Sequence, residues 1–325
     1  MILVYFLVLV NLTAFILYGT DKSYAKKGAR RIPERTLLFW AWIGGSIGAF
    51  LGMKVFRHKT RKPKFAVAVP LLMVLEIVIC IFCLYQNYHI VTSGYETDLG
   101  LGQDLTIVQV SDLHNQIFGI GESALMKKID AADPDLIVVT GDVVDETHTS
   151  YSIALSFFKG AVERAPVYYV TGNHEVVLQG IQSSKMSAFQ DDLRALGVVI
   201  LDDTYIDLGD YVLAGIGDAS LDSFSAYGPF SDEKPVIMLA HEPQYHSLYQ
   251  SLGTDLVLTG HYHGGQIIIP GVGGVVSPEF EFFPEMYEGM HTFGDMKLVL
   301  SRGLGNSLAP VRINNYPELV VVKVK

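Results

Sequence analysis

Three long apolar runs occupy the first quarter of the chain, at residues 1–18, 36–53 and 65–85, and much shorter ones punctuate the rest. A helix needs about 20 mostly apolar residues to cross a bilayer, and the first and third runs meet that length. The second is shorter, and Gly44, Gly48 and Gly52 recur at every fourth position, which predicts a smooth helix stripe suited to close packing in lipid. One acid, Glu76, lies about midway along the third run, where an ionisable group serves either function or helix packing. Beyond residue 104 the apolar runs shrink to strand length, at 105–110, 136–140, 167–171, 198–201, 211–216, 236–239, 256–259, 266–269, 297–301 and 319–324. Helical patterns at 122–131, 152–163 and 185–196 separate the early ones. Alternation that gives way to strands predicts an α/β domain with mixed sheets.

The pattern divides the 325 residues into a transmembrane, anchoring segment over 1–85, a linker over 86–103 and a globular domain over 104–325. Half the residues are hydrophobic and only 18% are charged, too apolar for a disordered chain. Charge sharpens the division. Residues 1–85 hold twelve Lys/Arg against Asp21, Glu34 and Glu76, a net +9; the whole chain is −10, so the remainder carries −19. That balance argues against a nucleic-acid partner. The basic residues cluster in two loops, 21–35 and 54–64, and positive loops stay in the cytoplasm. A re-entrant second run, or three full spans starting inside, then puts the acidic domain outside, whereas two spans starting inside or three starting outside would put it in the cytoplasm. The expectation is a multi-pass protein of the cell membrane with an extracytoplasmic domain. Cys80 and Cys83 lie inside an apolar run and make no disulfide framework.

Function is written where the strands of the globular domain end. The run ending at Val110 leads into Ser111-Asp112-Leu113-His114, and that ending at Thr140 into Gly141-Asp142-Val143-Val144-Asp145. Thr171 is followed by Gly172-Asn173-His174-Glu175, Ala240 by His241, and Thr259 by Gly260-His261-Tyr262-His263-Gly264. Open α/β sheets gather their sites at the carboxyl ends of strands. In Asp112-x-His114 the period of two puts both side chains on one side of an extended segment, able to chelate one cation. His261-x-His263 shares that spacing, though its loop could send each ring to a different metal. The interleaved glycines let the backbone turn sharply beneath the ions. Carboxylate, imidazole and carboxamide together suit Mn, Fe or Zn rather than copper or an iron–sulfur cluster.

These five motifs, in this order, resemble the calcineurin-like metallophosphoesterases over residues 104–325. Finer resemblance, to a membrane-associated bacterial branch of phosphodiesterases, rests on 260–269, on Ser301-Arg302-Gly303-Leu304-Gly305 and on Pro310-Val311-Arg312-Ile313-Asn314. The resemblance implies a four-layer α/β/β/α sandwich of two mixed sheets. It implies two divalent metal ions: one held by Asp112, His114 and His263, the other by Asn173, His241 and His261, with Asp142 bridging. It implies that His174 lies by the phosphate and assists the leaving oxygen, with Asp145 as the partner that orients it. The reaction implied is hydrolysis of a phosphodiester or diphosphate by a metal-bridging hydroxide, on a substrate that could be lipid-linked or part of the envelope. The front segment resembles a small uncharacterised bacterial membrane-protein family through Asp21-Lys22, Arg31-Ile32-Pro33-Glu34, Gly44-Gly45, Gly48-Ala49, Gly52-Met53 and Arg57-His58-Lys59-Thr60, which implies a bilayer partner and an anchor.

Other readings stay open. The domain could be a phosphomonoesterase, or a non-catalytic metal-binding module on a membrane transport or scaffold protein. Arg312 is either a contact for a second phosphate or a structural arginine. The aromatic stretch 279–287 is expected to pack under the sheet, with contact to lipid or sugar as the alternative. Phe157, Phe158, Tyr168 and Tyr169 read as core, and His89, His148, His246 and His291 as non-ligands.

Overall fold

The computed structural model describes residues 2–231, 233–306 and 312–325, so Pro310 and Val311 of the motif above lie outside the described residues. The chain divides into two compact units, Met1–Tyr85 and Gln86–Lys325.

The first unit is helical: α1 (Ile2–Lys27), α2 (Glu34–Trp40), α3 (Ser46–Val55) and α4 (Pro63–Tyr88), the last running on into the second unit. Among the described residues, two helical stretches, Glu34–Val55 and Pro63–Tyr88, are long and apolar enough to cross a membrane. The second apolar run is not one regular helix. It breaks between α2 and α3, where Gly44 takes a φ of 107°. A break in an apolar setting frees backbone polar groups that need partners. Asn11 supplies them from α1: its Nδ2 donates to Gly44 O (2.7 Å) and its Oδ1 accepts from Gly48 N (2.7 Å). Glu76 accepts from the N–H of Ser46 (3.2 Å) and from its hydroxyl. The glycine stripe lets α3 lie against α1; a Cβ on Gly48 would meet Asn11 O at 1.9 Å. Asp21, fully buried, gathers Arg31, His58 and Lys59 at 2.9, 2.7 and 3.3 Å.

The second unit holds two six-stranded mixed sheets. One is ordered β1-β14-β2-β3-β4-β5, from β1 (Val91–Thr97), β2 (Leu105–Val110), β3 (Leu136–Thr140), β4 (Val167–Val170), β5 (Val199–Ile200) and β14 (Glu318–Val324). The other is ordered β12-β13-β9-β8-β7-β6, from β6 (Thr204–Asp207), β7 (Val212–Gly215), β8 (Val236–Leu239), β9 (Leu256–Thr259), β12 (Gly289–Phe293) and β13 (Met296–Leu300). A two-residue hairpin pairs β10 (Ile268–Ile269) with β11 (Gly273–Gly274). Alternate residues of each strand feed different cores, as a period of two requires. Ile107, Val138, Leu239 and Leu258 fill the space between the sheets. Val108, Val139 and Tyr169 face the other way, against α5 (Ser123–Ala132), α6 (Tyr151–Val162) and α8 (Ser183–Ala195). Met238, Val257 and Leu298 cover the outer face of the second sheet with Tyr249 of α9 (His246–Ser251). Phe157, Phe158, Tyr168 and Tyr169 are buried, as expected of core residues.

The segment 86–103 is not a free linker. α4 continues to Tyr88, and β1 pairs in parallel with β14 across seven positions, Val91↔Glu318 to Thr97↔Val324. Its strand alternates half-buried and exposed residues, so no apolar run announced it.

Candidate metal centre

Five parallel-running strands deliver the site. β2, β3 and β4 of one sheet and β8 and β9 of the other end beside one another, and the residues just past each end carry the chemistry. The turns are sharp. Asp112, His114, Asp142, His261 and His263 all have φ between 44° and 72°, the left-handed region that L-residues avoid unless the surroundings impose it. Gly260 has to be glycine, because a Cβ there would sit 2.3 Å from Asp112 Oδ2. Asn173 and His174 open α7 (Asn173–Ile181) directly after β4.

All seven expected ligands converge. Asp142 Oδ2 lies 3.2 Å from His241 Nε2 and 3.5 Å from His114 Nε2. His114 Nε2 faces His263 Nε2 at 3.1 Å, and His263 Nε2 lies 3.7 Å from Asp112 Oδ1. His241 Nε2 is 3.0 Å from Asn173 Oδ1 and 3.2 Å from His261 Nδ1. Two groups, Asp112/His114/His263 and Asp142/His241/His261, each bring their ligand atoms within 4.8 Å of one another, and a third, His114/Asp142/His174, overlaps both.

The tautomers test whether a cation fits. The outward nitrogen of three rings faces a group that only accepts: His114 Nδ1 donates to Asp145 Oδ2 (3.1 Å), His241 Nδ1 to Thr140 O (2.8 Å) and His261 Nε2 to Glu279 Oε1 (2.8 Å). In the neutral rings the inward nitrogens therefore hold lone pairs, and these point at one another and at carboxylates. Outer acceptors of this kind are how proteins fix metal-binding histidines. The electrostatics agree. Burial works against a charged His241, but the Asp142 carboxylate outweighs it and pushes the imidazole well above its ordinary value. The field that favours a proton there favours a metal cation equally. Burial would raise Asp142, yet His241, His114 and His174 hold it well below the carboxylate range. His263 is pushed well below its ordinary value by burial first, then by His114 and Arg312. The donor set, imidazole with carboxylate and carboxamide, fits a borderline divalent metal.

Around these ligands lie residues that place them. Glu175 accepts from the N–H groups of Asp142, Val143, Val144 and Gly172 at 2.8–3.1 Å, clasping the loop that presents Asp142. Burial, followed by the Asp142 charge, pushes its carboxyl up to about 7. Asp145 lies 3.1 Å from His114 Nδ1 and 3.8 Å from His174 Nδ1, so its hydrogen bond goes to His114 and not to His174. The partner of His174 Nδ1 is the backbone N–H of Glu146, at 3.2 Å. Arg312, for which a phosphate contact and a structural role were both open, is fully buried. Its guanidinium donates to Asn306 Oδ1, Asn315 Oδ1, Arg302 O and Gly305 O, and it lies 3.4 Å from His263 Nδ1. That placement sets the guanidinium against the His263 ring and the loop backbone behind it. The aromatic stretch after residue 279 is not packed under a sheet: Phe280, Phe282 and Phe283 are exposed. Of the off-motif histidines, His246 stacks on Phe293 and His148 flanks Asp145 Oδ1 at 2.8 Å; neither enters a ligand group among the described residues.

Comparison with known proteins follows the same division. A family model described as calcineurin-like phosphoesterase matches residues 105–265, and one described as a protein of unknown function (DUF1294) matches residues 11–65. The chain is 30% identical over 242 residues to an uncharacterized metallophosphoesterase of Campylobacter jejuni, covering 69% of this chain and 60% of that protein. Over 196 residues it is 26% identical to the phosphodiesterase YaeI of Escherichia coli, covering 59% of this chain and 70% of the other. A 79-residue stretch is 43% identical to the uncharacterized protein YsdA of Bacillus subtilis, covering 24% of this chain and 89% of that one. The chain thus spans about three fifths of the Campylobacter relative's length.

Proposed function

Because the chain belongs to the calcineurin-like phosphoesterases, hydrolases of phosphoester bonds, we propose that it cleaves a phosphodiester or diphosphate at a two-metal centre. In this reading Asp112, His114 and His263 hold one divalent ion, Asn173, His241 and His261 hold the other, and Asp142 is shared. Such ions neutralise phosphoryl charge and acidify the attacking water. The carrying observation is that the inward nitrogens of His114 and His241 face Asp142 and that of His261 faces His241, each ring fixed by an acceptor behind it.

The chain's own residues divide the remaining work. His174 Nδ1 accepts from the Glu146 N–H, so its proton sits on Nε2, which faces the cluster 3.9 Å from Asp142 Oδ2. From there it donates a hydrogen bond to a phosphoryl oxygen, whose charge grows in the transition state. Asp145 holds the His114 ring in its ligating tautomer, and Glu175 holds the Asp142 loop. In this reading water attacks directly, with no covalent intermediate.

The apolar helices support a membrane anchor, and the basic loops at 21–35 and 54–64 support an extracytoplasmic position for the acidic unit in a multi-pass topology. A lipid-linked or envelope phosphoester accords with that position. Turnover of bis-p-nitrophenyl phosphate and p-nitrophenyl phosphate by the full chain, with manganese, zinc or neither, tests the reading. Metal-dependent diester cleavage supports it. A preference for the monoester would replace it with a phosphomonoesterase.

A further inference from the structure

The cavity beside the candidate ligands holds about 380 Å³, and its lining is of two kinds. Asp142, His174 and His261 line it, and so do Val276, Pro278 and Phe280. Phe280 is 75% exposed, Phe282 70% and Phe283 52%, three phenyl rings in water within four residues. Apolar rings left in water so close together along the chain mark a contact for something apolar.

The loop that carries them is held. Ser277 N donates to Glu281 O (2.9 Å), Phe280 N to Ser277 O (3.0 Å) and Phe283 N to Val275 O (2.9 Å). Phe280 and Phe283 have φ of 63° and 57°, a backbone region that bulky side chains rarely adopt. The turn therefore presents the rings in a conformation that local preference would not choose. Glu279, between Pro278 and Phe280, reaches His261 Nε2 at 2.8 Å, so the same turn that displays the rings also braces a ligand.

Charge narrows what can lie there. From residue 266 to 296 there is no Lys or Arg, while Glu279, Glu281, Glu285, Glu288 and Asp295 fall in that span. A second phosphate or a nucleic-acid backbone would be repelled from this lip. An uncharged apolar group would not.

We propose that residues 276–283 form the specificity element of the site, seating an uncharged apolar ester group of a phosphodiester whose phosphorus lies at the histidine wall. The proposal rests on the phosphodiesterase reading and names the ester class it acts on.

The test uses the full chain in lipid nanodiscs with manganese and the methyl, butyl and octyl esters of p-nitrophenyl phosphate. The readout is the ratio of KM for the methyl ester to KM for the octyl ester within each protein. Burial of a few methylenes predicts a ratio of about ten or more for the natural sequence. Phe280→Asn, chosen because Asn tolerates positive φ, brings the ratio toward one, and so does Phe282→Ser. A natural-sequence ratio near one, or both variants keeping the full ratio, overturns the proposal. A second arm needs no turnover: calorimetry of octyl phosphate against methyl phosphate on the same preparations. Octyl preference that Phe280→Asn removes supports the lip even if no ester is cleaved, an outcome that would instead sink the phosphodiesterase reading. Equal binding of the two phosphates counts against the lip.

Discussion

Asp142 is the residue on which most of the site's charge converges, with His114 and His241 within 3.5 Å and His174 at 3.9 Å. Asp142→Asn keeps the shape and removes the charge. It is expected to reduce metal content and to lower diester turnover by about 10²–10³, the scale of deleting one charge-stabilising group; metal analysis beside kinetics checks both. Asp145→Asn weakens the hold on His114 from behind. A drop of about 10–100-fold in metal affinity, with unchanged circular dichroism, is the expected result of a metal titration. Arg312 gives a different kind of signature. Arg312→Met leaves Arg302 O and Gly305 O without their donor and is expected to cost about 2–3 kcal/mol. Thermal unfolding would show it, whereas a substrate-contacting arginine would raise KM and leave Tm alone. The convergence of the candidate ligands was legible in the sequence because each follows an apolar run that must end at a sheet edge. The hydrogen bonds of Glu279 and Asp145 were not, because their partners lie as much as 35 residues away for Glu279 and 31 for Asp145, and no local pattern encodes a tertiary contact.

At the scale of elements, the buried strands β2, β3, β8 and β9 were readable as continuous apolar runs, and α5, α6 and α8 fell within two residues of their expected bounds. Edge strands β1, β6 and β12 were missed, since half-exposed strands carry polar residues and read as loop. The helix break at Gly44 was missed for another reason: a glycine stripe looks the same whether a helix is continuous or broken. Asp202, just after β5, offers a test of how elements are pinned. It accepts from Thr171 N (2.8 Å) and Oγ1 (2.9 Å) at the end of β4, and burial above all pushes it up to about 6 from 3.8. A raised carboxyl favours folding when protonated. Its contribution is complete below about pH 4 and is lost as pH rises through 6. Asp202→Asn is expected to flatten the fall in Tm between pH 4 and 6, and an unchanged slope would refute the assignment.

The whole molecule joins a basic, apolar front of +9 to an acidic unit of −19. This asymmetry was visible from composition; the family was recognised from the five motifs, because ligand spacing is local even though the site is not. Reporter fusions after Tyr85 are expected to report the extracytoplasmic side; a cytoplasmic signal would reverse the orientation. The most direct test of the account is chelator stripping of the full chain followed by manganese re-addition, with bis-p-nitrophenyl phosphate hydrolysis as the readout. The account predicts that turnover falls to background on stripping, returns with the metal and exceeds turnover of the monoester. Full turnover by the stripped protein would contradict it.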